Sequence, residues 1–230
     1  VRSTSWAGYS LALIDRAANV LDLLAGKGIG QWPVVFIVHS FGGLVVKQML
    51  REAEHSPNPS WSQIAARTRG LVFLATPHSG SRLANWVRWI PLYFPTVTVT
   101  ELEEHNTQLR DLGGWFRGFY NRSGMKAIVY TETRNVKGVR VVHDGDPYLA
   151  GVTPVPLDED HISITKPKSD RSQLYRGVRG FIRDCLAAAT AAGPTAAVAP
   201  ASAAGSSPPV PAPGRAPPHR TVPRSIWTTP

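Results

Sequence analysis

The chain carries a serine, a late histidine and a carboxylate, each standing where a strand pattern gives way to a loop. Ser40 follows the β-branched and aromatic run Val34-Val35-Phe36-Ile37-Val38 and His39, and it precedes Phe41-Gly42-Gly43 and an apolar-periodic segment, Leu44 to Leu50. A serine hydroxyl is a poor nucleophile at neutral pH. It attacks a carbonyl only when a base takes its proton and a third group orients the base. A strand, a tight turn and a helix in immediate succession expose such a serine at the apex of the turn. Gly42 and Gly43 supply the small residues that let strand and helix pack closely behind it. Ser40 then stands at a helix N-terminus, where backbone N–H groups favour negative charge, and the Phe41 N–H is placed to donate to an oxyanion. The motif is H-S-x-G-G rather than a full G-x-S-x-G, because Val38 stands two residues before Ser40.

Where a serine is presented in this way, the order along the chain is serine, acid, histidine. The base must therefore come late, and seven histidines compete for the role. His39 adjoins Ser40 and points elsewhere, which leaves it, with Trp86 and Trp89, as a substrate contact. His55 and His105 fall on helix or loop surface, His78 shapes the turn after the next strand, and His219 lies in the C-terminal tail. His161, after the last strand pattern and before the last helix, is the expected base, with His143 second. For the acid, Glu132 just past a strand is expected and Asp146 is the alternative. Asp144 follows the same later strand as Asp146, whereas Asp158 and Asp160 stand too near His161 in sequence to orient it easily.

These residues need a scaffold, and the periodicity supplies one. Leu11, Ile14, Ala18, Leu21 and Leu24 recur at helical spacing, predicting a helix over Ser10 to Ala25 that stops at Gly26-Lys27-Gly28-Ile29-Gly30. That glycine cluster follows a helix rather than a strand and lacks the phosphate-loop spacing, so it is not read as a nucleotide site. After the helix that carries Leu44 to Leu50, Ser56-Pro57-Asn58-Pro59 is a loop and Trp61 to Arg67 a helical turn or two. Gly70 to Ala75 is an all-apolar strand, as in a parallel sheet covered on both faces, and it ends in Thr76-Pro77-His78-Ser79-Gly80-Ser81. Helices are expected at Leu83 to Ile90 and Glu101 to Tyr120, broken by Pro91, Pro95 and Gly113-Gly114. The aromatic-rich span 82–122 reads equally as a helical cap over the site or as helices packed on the sheet. Lys126 to Tyr130 and Val139 to His143 are further strands, followed by a loop through Pro154 and Pro156 to Asp158. A final helix runs over Ser172 to Ala189. The fold class is α/β, a mostly parallel sheet flanked by helices, with its site at the carboxyl ends of the strands.

Composition bounds the rest. The chain of 230 residues holds one good-sized domain, residues 1–186, before an Ala/Pro-rich tail, 187–230, that holds ten of the twenty prolines and is expected to be disordered. The single cysteine, Cys185, excludes an internal disulfide and a cysteine-based metal site, and its place on the apolar face of the last helix assigns it to the core. With no secretory signal and no stretch approaching a membrane span, a cytoplasmic location is expected. The net charge of +9 is scattered rather than clustered, which reads as a solvated surface compatible with membrane-surface contact and against a nucleic-acid interface.

The stretches VFIVHSFGGLVVKQML, GLVFLATPHSGS, the Glu132-Thr133 pair and VPLDEDHISITKPKSDRSQLYRGVRGFI, in that order, resemble the SERAC1-like branch of the α/β-hydrolases, akin to the PGAP1-like and DUF676 lipases and esterases. The resemblance covers roughly Trp6 to Leu186. It implies a serine esterase or lipase acting on lipid or acyl esters, with Ser40 as nucleophile, His161 as base, Glu132 as acid and no cofactor or metal. The fold usually places two or more strands before the helix seen at Ser10, one of them carrying a His-Gly loop that gives a second oxyanion donor. None precedes Ser3, so the chain reads as truncated at its N-terminus. The alternative function is accordingly a catalytically impaired module that keeps the fold for interaction or regulation.

Overall fold

A computed structural model describes residues 13–78, 106–134, 149 and 151–191. In chain order the described elements are α1 (Leu13–Gly26), β1 (Val34–His39), α2 (Phe41–His55), α3 (Pro59–Arg67), β2 (Thr68–Leu74), α4 (Asn106–Ser123), β3 (Lys126–Glu132), β4 (Val155–Leu157), a 3-10 turn (Ser163–Thr165) and α5 (Gln173–Ala191). The chain divides into two compact units, Val1–Val198 and Ala199–Pro230, and the second lies wholly outside the described residues. So do the expected helix Leu83 to Ile90 with Trp86 and Trp89, the expected strand Val139 to His143, and Asp144 and Asp146. None of the described helices is long and apolar enough to cross a membrane.

The described strands form one sheet in the order β1-β2-β3-β4, with every pair parallel. Period-two alternation sends successive side chains of a strand to opposite faces. In β2, Leu71 and Phe73 pack with Ala17 and Leu21 of α1, Met49 and Leu50 of α2, and Phe116 and Phe119 of α4. Val72 and Leu74 join the second core, with Leu174 of α5, Tyr130 of β3 and Leu157 of β4. Burial on both faces is why β2 reads in the sequence as an unbroken apolar run. Glycines set the closest approach of helix to sheet: a Cβ at Gly70 would come to 2.6 Å from Cys185 Sγ, so α5 lies against the β2 backbone there. Cys185 is buried in that contact. These features make the fold that of an α/β-hydrolase, a parallel sheet between helices.

Two expectations change, and one open alternative is narrowed. The helix α4 runs unbroken through Gly113 and Gly114, because Leu109, Leu112, Phe116 and Phe119 lock one face onto the sheet. Tertiary packing of this kind outweighs the roughly 1 kcal/mol that each helical glycine costs. α4 is also fixed to α2 by the Arg122–Glu54 ion pair at 2.7 Å, by Trp115 Nε1–H donating to Glu54 at 3.1 Å, and by Arg51–Asp111 at 2.6 Å. The part of span 82–122 that lies in α4 is therefore a helix flanking the sheet, while residues 82–105 are outside the described set. Finally, the segment taken as loop before Asp158 contains β4, three residues paired with Tyr130, Thr131 and Glu132. Pro156 hid it, since proline removes a ladder donor and is tolerated only at a sheet edge or strand start.

Candidate active site

Parallel register brings the carboxyl ends of the strands to one edge. Ser40 follows β1 at once, Glu132 is the last residue of β3, and β4 ends opposite it at Leu157, four residues before His161. The ladder continues one step past the strands: Ser40 N–H donates to the Leu74 carbonyl at 3.0 Å, and Ala75 N–H to that of Tyr130 at 2.9 Å. The turns that carry the site are thus fixed to the sheet.

Ser40 itself has φ 54° and ψ −127°. A non-glycine residue rarely adopts such a conformation, at a cost of about 1–3 kcal/mol. Serine is a favoured N-cap because its oxygen usually accepts from the first turn of the helix. Here it makes no such bond although it caps α2. Its Oγ is instead 2.9 Å from His161 Nε2. The strained turn has traded a capping bond for one to the His161 ring, and Ser40 is buried there rather than exposed at the apex as its sequence context predicts. Gly43 is the glycine that permits it: a Cβ there would overlap Thr76, lying 2.7 Å from its Oγ1. A Cβ at Gly42 meets nothing within 4 Å among the described residues. The sequence reading, which gave both glycines the same role, is narrowed to Gly43. Thr76 Oγ1–H donates to the Ser40 carbonyl at 3.2 Å and so ties the elbow to the turn after β2.

His161 is 1% exposed, with its Nδ1 3.2 Å from Glu132 Oε1, which is as deeply buried. Ser40 Oγ, His161 and Glu132 therefore stand in series within hydrogen-bond distance. The histidine sits in a short turn that sequence reasoning passed over. Asp160 Oδ1 accepts the N–H groups of Ile162 and Ser163, both at 2.8 Å, and Ser163 Oγ accepts the Asp160 N–H at 2.9 Å. This reciprocal pair brackets His161 and leads into the 3-10 turn, and the Ser163 backbone bond, first among several contacts, holds the Asp160 carboxyl below its usual range. The D-x-x-S spacing was its signal. Asp158 is turned outward, paired with Arg134 at 2.5 Å on the surface.

His39, expected among the substrate contacts, has its Nε2 2.8 Å from the His161 carbonyl oxygen. Burial first, then the neighbouring His161, lowers its pKa to about 4. His78 and Lys47 form a separate buried group behind the site. Lys47 Nζ lies 5.5 Å from the Phe73 ring centroid and 5.2 Å from that of Phe116. Burial lowers the Lys47 pKa to about 7, and burial together with Lys47 keeps His78 well below its ordinary value. Phe41 is the first residue of α2, so its backbone N–H is one of those the helix does not use itself. Trp86, Trp89 and Asp146 lie outside the described residues.

No family model matches the chain. Among curated proteins, human protein SERAC1 is 36% identical over 180 residues, covering 75% of this chain and 27% of its own length. The bovine protein of the same name is 35% identical over 180 residues with the same coverage, and the zebrafish protein 32% identical over 185 residues. The chain thus spans about a quarter, 27%, of the length of the curated relatives it matches. A solved structure from work on carboxylesterases of the thaumarchaeon Nitrososphaera gargenis aligns with a TM-score of 0.49 at 14% identity, covering 80% of this chain and 76% of that one. A likeness of that size does not bear on the chemistry.

Proposed function

The chain is a SERAC1-like α/β-hydrolase domain, and on that premise we propose that it is a serine hydrolase cleaving carboxylic esters of lipid or acyl type. The supporting observation is the strained Ser40, its Oγ 2.9 Å from His161 Nε2 in place of a helix cap. In the proposed reaction Ser40 Oγ attacks the ester carbonyl while His161 Nε2 takes its proton. The Glu132 carboxylate accepts from His161 Nδ1–H, fixing the tautomer and offsetting the imidazolium charge as it forms. The Phe41 N–H, at the positive end of α2, stabilises the tetrahedral oxyanion. His161 then returns the proton to the leaving alkoxide, and an acyl-serine remains. Water, deprotonated by the same imidazole, releases the acid and restores Ser40. Each proton taken is given back, so the cycle balances.

The test is hydrolysis of p-nitrophenyl esters of graded chain length by the whole chain, with Ser40→Ala as control, together with fluorophosphonate labelling. Ser40 should be the labelled residue, and the alanine variant should lose both labelling and turnover. A wild-type chain that neither hydrolyses any ester nor takes the label would refute the proposal. Preference along the ester series reads out the acyl class.

A further inference from the structure

The two successive residues at the end of β1 bond to the two ends of one residue. Ser40 Oγ meets the His161 ring at Nε2, 2.9 Å away, and His39 Nε2 meets the His161 main-chain carbonyl at 2.8 Å. A carbonyl can only accept, so His39 must carry its proton on Nε2 and donate it. The two imidazole centroids are 4.7 Å apart and tilted by 46°, which leaves no room between them for a substrate group. We infer that His39 is a positioning residue for the base: its Nε2–H holds the His161 main chain against the end of β1, at the separation that keeps the His161 ring within reach of Ser40. Its kinetic consequence rests on the esterase reading above; the clamp itself does not.

The choice of side chain follows from the chemistry of the neighbour. His161 must become an imidazolium during turnover, and a permanent cation 4.7 Å from it would oppose that step. Lysine or arginine could donate to the carbonyl but would carry that charge. Serine and threonine are too short to span from β1 to the His161 turn. A half-buried imidazole is a neutral donor of the right length, and its desolvation together with His161 keeps it neutral, with a pKa of about 4. The charged groups facing it are His161 itself and Glu132, and the carboxylate acts in the opposite direction but more weakly. Glutamine, whose Nε2 reaches a similar distance and bears no charge, is the substitution that should preserve the clamp.

The experiment compares wild type, His39→Gln and His39→Ala, each confirmed as folded by circular dichroism. With the p-nitrophenyl esters, His39→Ala should lower kcat about 10- to 100-fold and change KM less than about threefold, and His39→Gln should recover most of kcat. An alanine variant with wild-type kcat, a rise in KM alone, or a glutamine variant no better than alanine would each overturn the inference; the second of these would make His39 a substrate contact instead. A ring-nitrogen NMR titration of wild type decides the clamp without reference to activity. It should find His39 as the Nε2–H tautomer with unchanged shifts from about pH 8 down to about pH 5. An Nδ1–H tautomer, or a midpoint near the ordinary histidine value of 6.5, overturns it. If wild type hydrolyses no ester, the esterase reading falls while the NMR result still decides the clamp.

Discussion

Lys47→Met isolates the energetic consequence of a buried amine in the scaffold behind the nucleophile. Lys47 is 1% exposed on α2, against the rings of Phe73 and Phe116, and burial moves its pKa from 10.5 to about 7. Between those values the unfolded chain holds a proton that the folded chain has released. The folded state therefore gains on the unfolded as pH rises through this window, and below about pH 7 both states hold the proton and the cost is constant. The difference is largest there, on the order of 5 kcal/mol as an upper bound at about 1.4 kcal/mol per pKa unit. Near pH 8 it is about 3 kcal/mol, and by about pH 10 it falls below about 1 kcal/mol. Methionine keeps the unbranched stem and approximate volume but removes the amine. Urea denaturation at a series of pH values should find Lys47→Met more stable than wild type by about 2–3 kcal/mol near pH 8, with the gap closing towards pH 10. Two parallel stability–pH curves, or a methionine variant less stable at every pH, would refute the reasoning, because either would mean that Lys47 is not held neutral by burial.

The remaining predictions concern the elbow and its supports. Gly42→Ala and Gly43→Ala should differ in sign: alanine at 42 stabilises α2 by about 0.5 kcal/mol through helix propensity, whereas at 43 it forces Thr76 aside and costs about 1–3 kcal/mol, both read from urea midpoints. Glu132→Gln should leave the fold intact and lower kcat about 10³–10⁴-fold in the ester assay, because an amide can hold the imidazole in the wrong tautomer and offers no charge to the imidazolium. Asp160→Ala removes two backbone acceptor bonds from the turn around His161 and should cost about 1–2 kcal/mol in denaturation while lowering kcat more than KM changes. Arg134→Ala breaks only an exposed pair and should leave the urea midpoint nearly unchanged, with any difference disappearing at high salt.

Much of the site was legible because its signals are local. The change of period from β1 to α2 around Ser40 is a one-dimensional pattern, and so is the apolar run of β2, where both faces are covered. Chain order and strand ends put His161 ahead of His143 as base and Glu132 ahead of Asp146 as acid, and the structure brings His161 to Ser40 and Glu132 to His161. Other features left weak traces. β4 is three residues long and contains a proline, so neither length nor propensity marks it; only its pairing with the end of β3 makes it a strand. The glycines of α4 signalled a break, and the break is absent because the core on one face of that helix outweighs them.

The sequence by itself determined the strand–turn–helix around Ser40 and the parallel α/β scaffold, and it ranked His161 and Glu132 first among the candidate partners, with His143 and Asp146 second. All of these follow from periodicity and chain order, which are properties of neighbours along the chain. Tertiary structure alone decided what distant residues do to one another. It turned His39 from Ser40's neighbour in sequence into a donor to the His161 main chain, 122 positions away. It also set Gly43 against Thr76, left Gly42 with open space among the described residues, and closed Lys47 into a space where its charge is disfavoured. Desolvation and close approach depend on which surfaces meet in space, and a linear pattern does not record that.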